Sequence, residues 1–256
     1  MSLLVDEEVV EPRARRVQTL GEVEKKEKTA PNSETYRYER KFFISDLTRQ
    51  EILTRIKLHP AMFSEIYHER FVNNIYFDSV TLENYYDSVD GVQRRRKCRI
   101  RWYGALFGAI EKPVLELKIK EGFVGRKESF PLAALSLDES FHFDTIAALF
   151  RNSGLPVKLK MELSAMQPTL VNRYCRCYFQ SADRQYRITV DSDMEYYRIK
   201  DHGNAFLHKS IDRENVILEL KYGKDNDRYA ESIAGCFPFR VTKSSKYTMG
   251  IQSLYF

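Results

Sequence analysis

Charge and hydrocarbon alternate along one stretch of this chain, and that alternation restricts the possible folds more than any other feature. In Arg94-Arg95-Arg96-Lys97-Cys98-Arg99-Ile100-Arg101-Trp102-Tyr103, Lys97, Arg99 and Arg101 fall on one parity and Cys98, Ile100 and Trp102 on the other. Residues two apart in a strand share a face, so one side of this ribbon is built for burial and the other carries three cations. The pattern recurs. Arg37, Glu39 and Lys41 oppose Tyr38 and Phe42; Glu116, Lys118 and Lys120 oppose Leu115, Leu117 and Ile119; Glu219 and Lys221 oppose Leu218 and Leu220. Tyr174, Arg176 and Tyr178 alternate with Cys175 and Cys177, and Arg187, Thr189 and Asp191 with Ile188 and Val190.

Two arrangements satisfy such strands. A sandwich buries the apolar faces between two sheets and leaves the charges in water. A closed barrel wraps helices over its apolar outside and lines its lumen with the charges, which then need an anion to offset their repulsion at reduced dielectric. The glutamates on the cationic faces, Glu39, Glu116 and Glu219, also have two readings. They are either ordinary cross-strand partners of lysine or hard oxygen ligands for a divalent ion that bridges phosphate oxygens.

The remaining elements follow from local signals. Tyr36–Ser45 reads as a strand. A helix follows, opened by Thr48 and Glu51 in capping-box spacing with Leu47 and Ile52 as a staple; Ile52, Leu53 and Ile56 form its buried face, and Pro60 lies beyond its end. Strands are expected over Phe71–Asp78, Gly91–Tyr103, Val114–Glu121, Arg126–Pro131 and Val216–Tyr222. Thr169–Gln180 and Arg184–Tyr197 read as a hairpin around Ser181-Ala182-Asp183, and helices are expected near Thr145–Asn152, Asp227–Cys236 and Lys243–Leu254. Residues 1–33 hold seven acidic and six basic side chains and no aromatic residue, so they read as a disordered tail before a folded domain over 34–256. No apolar run reaches the ~20 residues that cross a bilayer, and the acidic turn at Asp6 breaks any signal-peptide pattern. Cys98, Cys175, Cys177 and Cys236 fit neither a disulfide framework nor a zinc site. A cytoplasmic setting follows, with Cys175 and Cys177 as buried thiols. The formal charge of +5 favours an anionic partner.

Six short segments, in order, resemble a known family: Tyr38-Glu39-Arg40-Lys41-Phe42, Ile75-Tyr76-Phe77-Asp78, Arg99-Ile100-Arg101-Trp102-Tyr103-Gly104, Leu115-Glu116-Leu117-Lys118, Leu218-Glu219-Leu220-Lys221 and Thr242-Lys243-Ser244-Ser245-Lys246. They are similar to the VTC domain, the catalytic domain of the vacuolar transporter chaperone polyphosphate polymerase, in the triphosphate tunnel metalloenzyme (CYTH-like) superfamily. The resemblance spans about Tyr36 to Phe256. It implies an α+β, mainly β fold: an eight-stranded antiparallel β-tunnel, or closed barrel, with peripheral helices and a C-terminal helix. It implies Mn2+ or Mg2+ as cofactor, and ATP, triphosphate or polyphosphate as the ligand. Carried over by position, Lys41, Arg99, Arg101, Lys118, Arg176 and Lys243 become the catalytic phosphate ligands. Tyr174, Arg187, Ser245, Lys246 and Lys127 become further phosphate contacts, and Glu219 and Glu39 the metal ligands. Arg37 stands where the hydrolase branch opens its Glu-x-Glu-x-Lys motif, which removes a carboxylate and favours polymerase-type phosphoryl transfer over hydrolysis.

The expected function is therefore transfer of the γ-phosphoryl group of ATP to a polyphosphate chain. The alternatives are a triphosphate or polyphosphate hydrolase, a polyphosphate sensor without turnover, and an RNA-binding protein prompted by Arg94-Arg95-Arg96-Lys97. The spread of the basic residues over six strands, interleaved with glutamates, speaks against nucleic acid as the partner. No nucleophile system of the Ser-His-Asp type is visible, and His59, His68, His142, His202 and His208 read mostly as surface residues.

Overall fold

The computed structural model describes residues 37–122 and 124–256; the tail expected over 1–33 and the side chain of Arg37 lie outside the described residues. The element order is β1 (Arg37–Ile44), α1 (Arg49–Lys57), β2 (Ser64–Asp78), α2 (Glu83–Val89), β3 (Arg94–Tyr103), β4 (Gly108–Ile110), β5 (Val114–Glu121), β6 (Val124–Pro131) and β7 (Leu135–Leu137). Then come α3 (Phe143–Asn152), α4 (Val157–Ser164), β8 (Gln167–Gln180), β9 (Tyr186–Arg198), β10 (Lys209–Asp212), β11 (Val216–Gly223), α5 (Asp227–Gly235) and α6 (Lys246–Tyr255). The fold is mainly β, of the α+β class, with its strands antiparallel.

The main sheet runs β10-β9-β11-β1-β6-β5-β3-β2-β8, and β8 pairs in turn with β9. The pairing order thus returns to its own start through eight strands, with β10 as an added edge. Its thinnest link is β1 to β6, a single pair between Arg37 and Gly125. The β4–β7 hairpin is separate.

The apolar parity of the strands is covered from outside by helices. Cys98, Ile100, Trp102, Leu115 and Leu117 pack with Ile146 and Phe150 of α3 and with Leu159 and Leu163 of α4. Phe42, Ile188, Val190, Leu218 and Leu220 pack with Ile52 and Ile56 of α1 and with Ala230 and Ala234 of α5. Each buried Val, Leu, Ile or Phe among them contributes ~1.5–3 kcal/mol by leaving water. The capping box that opens α1 is formed as expected: Glu51 Oε2 accepts from the Thr48 amide at 2.8 Å, and Thr48 Oγ1 accepts from the Glu51 amide at 3.3 Å.

The helix α6 packs against the opposite, charged parity. Tyr247, Ile251 and Leu254 meet Val72, Tyr76, Leu170, Tyr174, Met194 and Tyr196. A bulge makes this possible. Asp193 adopts φ 50°, and the β8–β9 register shifts between Arg173 and Cys175. The extra residue turns Met194 and Tyr196 to the face that Asp191 occupies. Gly250 lets the helix approach: a Cβ there would lie 2.5 Å from Tyr196 Cδ1 and 2.6 Å from Leu170 Cδ2. Gly250→Ala is therefore expected to lower stability by ~1–3 kcal/mol through overpacking, read as a fall in melting temperature.

Several boundaries differ from expectation. The strand β2 begins at Ser64, seven residues before the expected Phe71, because its exposed first half has no apolar face to announce it. The helices α2 and α4 and the strand β10 escaped notice; each has eight residues or fewer. The last helix starts at Lys246 rather than Lys243, because Ser245 caps it. His59 is buried rather than on the surface: Nε2 lies 3.0 Å from the Ile233 carbonyl, and Nδ1 accepts from the Ala61 amide at 3.0 Å. No helix among the described residues is long and apolar enough to cross a membrane.

Candidate functional site

Register brings the charged parity together. Across β1 and β11, Lys41 lies directly opposite Glu219, and Glu39 opposite Lys221. Across β11 and β9, Glu219 opposes Thr189 and Lys221 opposes Arg187; across β9 and β8, Asp191 opposes Arg176.

Two carboxylates form the first centre. Glu219 lies 2.6 Å from Lys221, 3.3 Å from Lys41, 3.7 Å from Arg176 and 3.9 Å from Lys246. Asp191, fully buried, accepts from Arg176 Nε and Nη2 at 2.5 and 2.7 Å and lies 2.5 Å from Lys246 Nζ. Burial alone would push the Glu219 carboxyl up. Lys221, Lys41, Lys246 and Arg176 outweigh that and hold it well below the usual carboxylate range.

Glu116 organises a second centre. Its Oε2 accepts from Arg99 Nε and Nη2 at 2.9 and 2.7 Å and lies 3.4 Å from Arg101, while Lys127 donates to its Oε1 at 2.7 Å. Arg101 also donates to Asn74 Oδ1 and to the Tyr174 hydroxyl, both at 3.1 Å. Glu39 extends the first centre to Lys118, at 2.9 Å, and lies 3.9 Å from each of Lys41 and Lys221. Tyr174 joins the two centres, since Arg176 and Lys246 lie over its ring at 5.1 and 4.7 Å from the centroid.

A third feature is only partly compensated. Lys97, Lys118 and Lys127 stand abreast in direct register on β3, β5 and β6. Like charges opposite one another destabilise a sheet. Lys118 and Lys127 lean away to Glu39 and Glu116, but Lys97 has no carboxylate partner among the described residues and donates only to Ser245 Oγ at 2.7 Å. Burial, then Lys41, Lys118, Arg95 and Arg99, push the Lys97 ammonium down to about 7. The sign for stability follows. Between pH 7 and the ordinary lysine range the unfolded chain binds the proton that the folded chain has released, so stability rises with pH across that window. Lys97→Met is expected to raise the melting temperature most near pH 6.5, with the gain shrinking towards pH 10, as followed by thermal melts across pH.

These residues also bear on a divalent ion. Among the described residues no three His, Cys, Asp or Glu side chains group into a protein cage. Glu39 Oε1, however, is buried and accepts no hydrogen bond there, and it lies close enough to Glu219 for the two carboxylates to repel. One or two carboxylates completed by phosphate oxygens are a normal Mg2+ ligand set, so the residues fit an ion that arrives with its phosphate.

The VTC domain family matches residues 36–255. The chain belongs to the VTC domain family. That places it in the triphosphate tunnel superfamily. A search of curated proteins finds no match. Among solved structures, a candidate adenylate cyclase from Bacillus halodurans is 16% identical at TM-score 0.48, over 86% of this chain and 97% of that one. Another from Vibrio parahaemolyticus is 12% identical at TM-score 0.47, over 85% and 99%. The PH1819 protein of Pyrococcus horikoshii OT3 is 11% identical at TM-score 0.45, also over 85% and 99%.

In this VTC domain, Lys41, Arg99, Arg101, Lys118, Lys127, Tyr174, Arg176, Lys246, Glu39 and Glu219 join the connected network described above. Ser245 accepts from Lys97 at 2.7 Å and from the Thr248 amide at 3.3 Å, capping α6. Arg187 and Lys243 are exposed and have no ion-pair partner among the described residues; they flank the network rather than enter it. Sequence reasoning gave no site role to Asp191, Lys97 or Lys221. All three share parity with chosen neighbours, which was the available signal. The four cations of Arg94–Lys97 do not form one patch: Arg96 turns outward to Glu162 of α4 at 2.5 Å, and Lys97 turns to Ser245.

Proposed function

We propose that the eight-strand circuit encloses a tunnel in which this domain binds ATP and a polyphosphate chain and lengthens the chain by one phosphate. The row of Lys97, Lys118 and Lys127 carries this reading: like charges in direct register repel, Glu39 and Glu116 offset only Lys118 and Lys127, and a polyanion would offset the rest. The family match supports the class of ligand.

In this reading a terminal oxygen of the chain attacks the γ-phosphorus of ATP. The bond from that phosphorus to the β–γ bridging oxygen breaks, its electron pair stays on the β-phosphate, and ADP leaves. Such transfer depends on alignment and on neutralising charge over the oxygens rather than on a protein nucleophile. Arg99, Arg101, Lys118 and Lys127 hold the chain. Lys41, Lys221, Arg176 and Lys246 hold the nucleotide phosphates. Arg176 and Lys246 are fixed by Asp191, so their positions are set before the ligand arrives. Glu39 and Glu219 would hold Mn2+ or Mg2+, which supplies further charge neutralisation on the phosphate oxygens.

Purified protein incubated with ATP and Mn2+ is expected to make acid-labile polymer and ADP in equal phosphate equivalents. Release of orthophosphate alone would move the assignment to a hydrolase, and binding without either product to a sensor.

A further inference from the structure

Beside the Glu219 and Asp191 centre lies a cavity of about 400 Å³ whose walls change character along its depth. Its floor includes Arg176, Thr189 and Lys221, which touch those two carboxylates. Its lining also holds two rings, Tyr67 and Tyr178, edge to face with centroids 5.6 Å apart, beside the exposed cations Arg184 and Arg187. A bare phosphate chain has no use for the two rings. By contrast, the lysines abreast on β3, β5 and β6 turn to Ser245, Glu39 and Glu116, and none of the three lies over an aromatic ring among the described residues.

Resting on the phosphate-tunnel reading above, we infer that this cavity is a nucleobase subsite: the aromatic head of a nucleoside triphosphate packs against Tyr67 and Tyr178 while its phosphates reach Arg176 and Lys221. The size suits a nucleoside, since small-ligand cavities span roughly 300–1,000 Å³. The wall is preformed. Arg70 sits over both rings, 5.6 Å from the Tyr67 centroid and 4.9 Å from that of Tyr178, and donates to the Tyr178 hydroxyl at 3.2 Å. The rim is preformed too. Arg184 and Gln185 line it from the β8–β9 turn, where Asp183 accepts from the Gln185 amide at 3.0 Å and Gln180 donates to the Arg184 carbonyl at 3.1 Å. The exposed Gln185 amide offers both a donor and an acceptor to a base edge. Nucleotide then enters past the β8–β9 turn, and the polymer grows toward the lysines.

The test is calorimetric titration of the whole chain with ATP and, separately, with tripolyphosphate. Tyr178→Ala and Tyr67→Ala are each expected to weaken ATP by about 10-fold, the usual scale for removing a ring beneath a base, and to leave tripolyphosphate within about 2-fold. Tyr178→Phe keeps the ring, loses the hydroxyl bond to Arg70, and is expected to bind ATP as the wild type does. Equal weakening of both ligands, or unchanged ATP binding in both alanine variants, overturns the subsite. If wild type binds ATP in a ring-dependent way but binds no tripolyphosphate, the subsite stands and the phosphate-tunnel reading falls. If it binds neither ligand, both fall.

Discussion

Glu219→Gln is expected to separate phosphate binding from turnover and to weaken the empty protein. Glutamine keeps the shape of the side chain and removes its charge. Lys41 and Lys221 then keep only Glu39, at 3.9 Å from each, and Arg176 and Lys246 keep Asp191. Removing one partner from a buried charge cluster costs ~3–5 kcal/mol, because the other charges stay buried without it. In phosphate-free buffer the melting temperature should therefore drop. Tripolyphosphate should raise it by more than in the wild type, since an anion supplies the missing charge and stabilises by mass action. Polymer formation with Mn2+ should nevertheless fall by more than about 100-fold, the scale on which a lost transition-state contact acts. An unchanged melt without phosphate would show that Glu219 does not hold these cations together.

The second large effect lies outside the charged network. Asp78 is fully buried. Its carboxylate accepts from the amides of Ser79 at 2.8 Å, Asn84 at 2.9 Å and Tyr85 at 3.0 Å, from the Asn84 side chain at 2.9 Å, and from the Tyr247 hydroxyl. It thereby fastens the start of α2 and the first turn of α6 to the end of β2. Asp78→Ala leaves these donors buried without an acceptor, at ~1–3 kcal/mol for each one that water does not reach. Loss of cooperative folding, or a melting temperature lower by more than 10 °C, is expected. Asp78→Asn, which keeps acceptor and shape, should recover part of it. Because Lys246 sits one residue before Tyr247, weaker phosphate binding should accompany the loss of stability.

Parity made the strands and most of the site legible. In β1, β3, β5 and β11 the cationic face could be read residue by residue, because each apolar side chain marks its neighbours by default. Where that marker is weak, the boundary is lost: Ser64–Arg70 is exposed apart from the half-buried Ile66, and so β2 begins earlier than its sequence announces. Asp191 looked like one polar residue among several. Its importance comes from Lys246, an element away in α6, and no local pattern encodes that meeting. The bulge at Asp193 is equally silent, yet it turns Met194 and Tyr196 toward the helix that brings Lys246 in. His59 was misjudged because its burial depends on Ile233 and on the rings of Phe63 and Phe237, the latter in a distant segment.

Titration of tripolyphosphate into the wild type, Lys118→Met and the Lys41→Met/Lys118→Met pair, each checked for native folding, puts the convergence of cations to its plainest test. The wild type should bind one molecule saturably at physiological salt. The pair should lose about 100-fold or more in affinity, two charge-assisted contacts at ~1.5–3 kcal/mol each, with the single variant between them. Affinity that is absent in the wild type, or the same in all three proteins, would mean that these lysines do not converge on a phosphate chain.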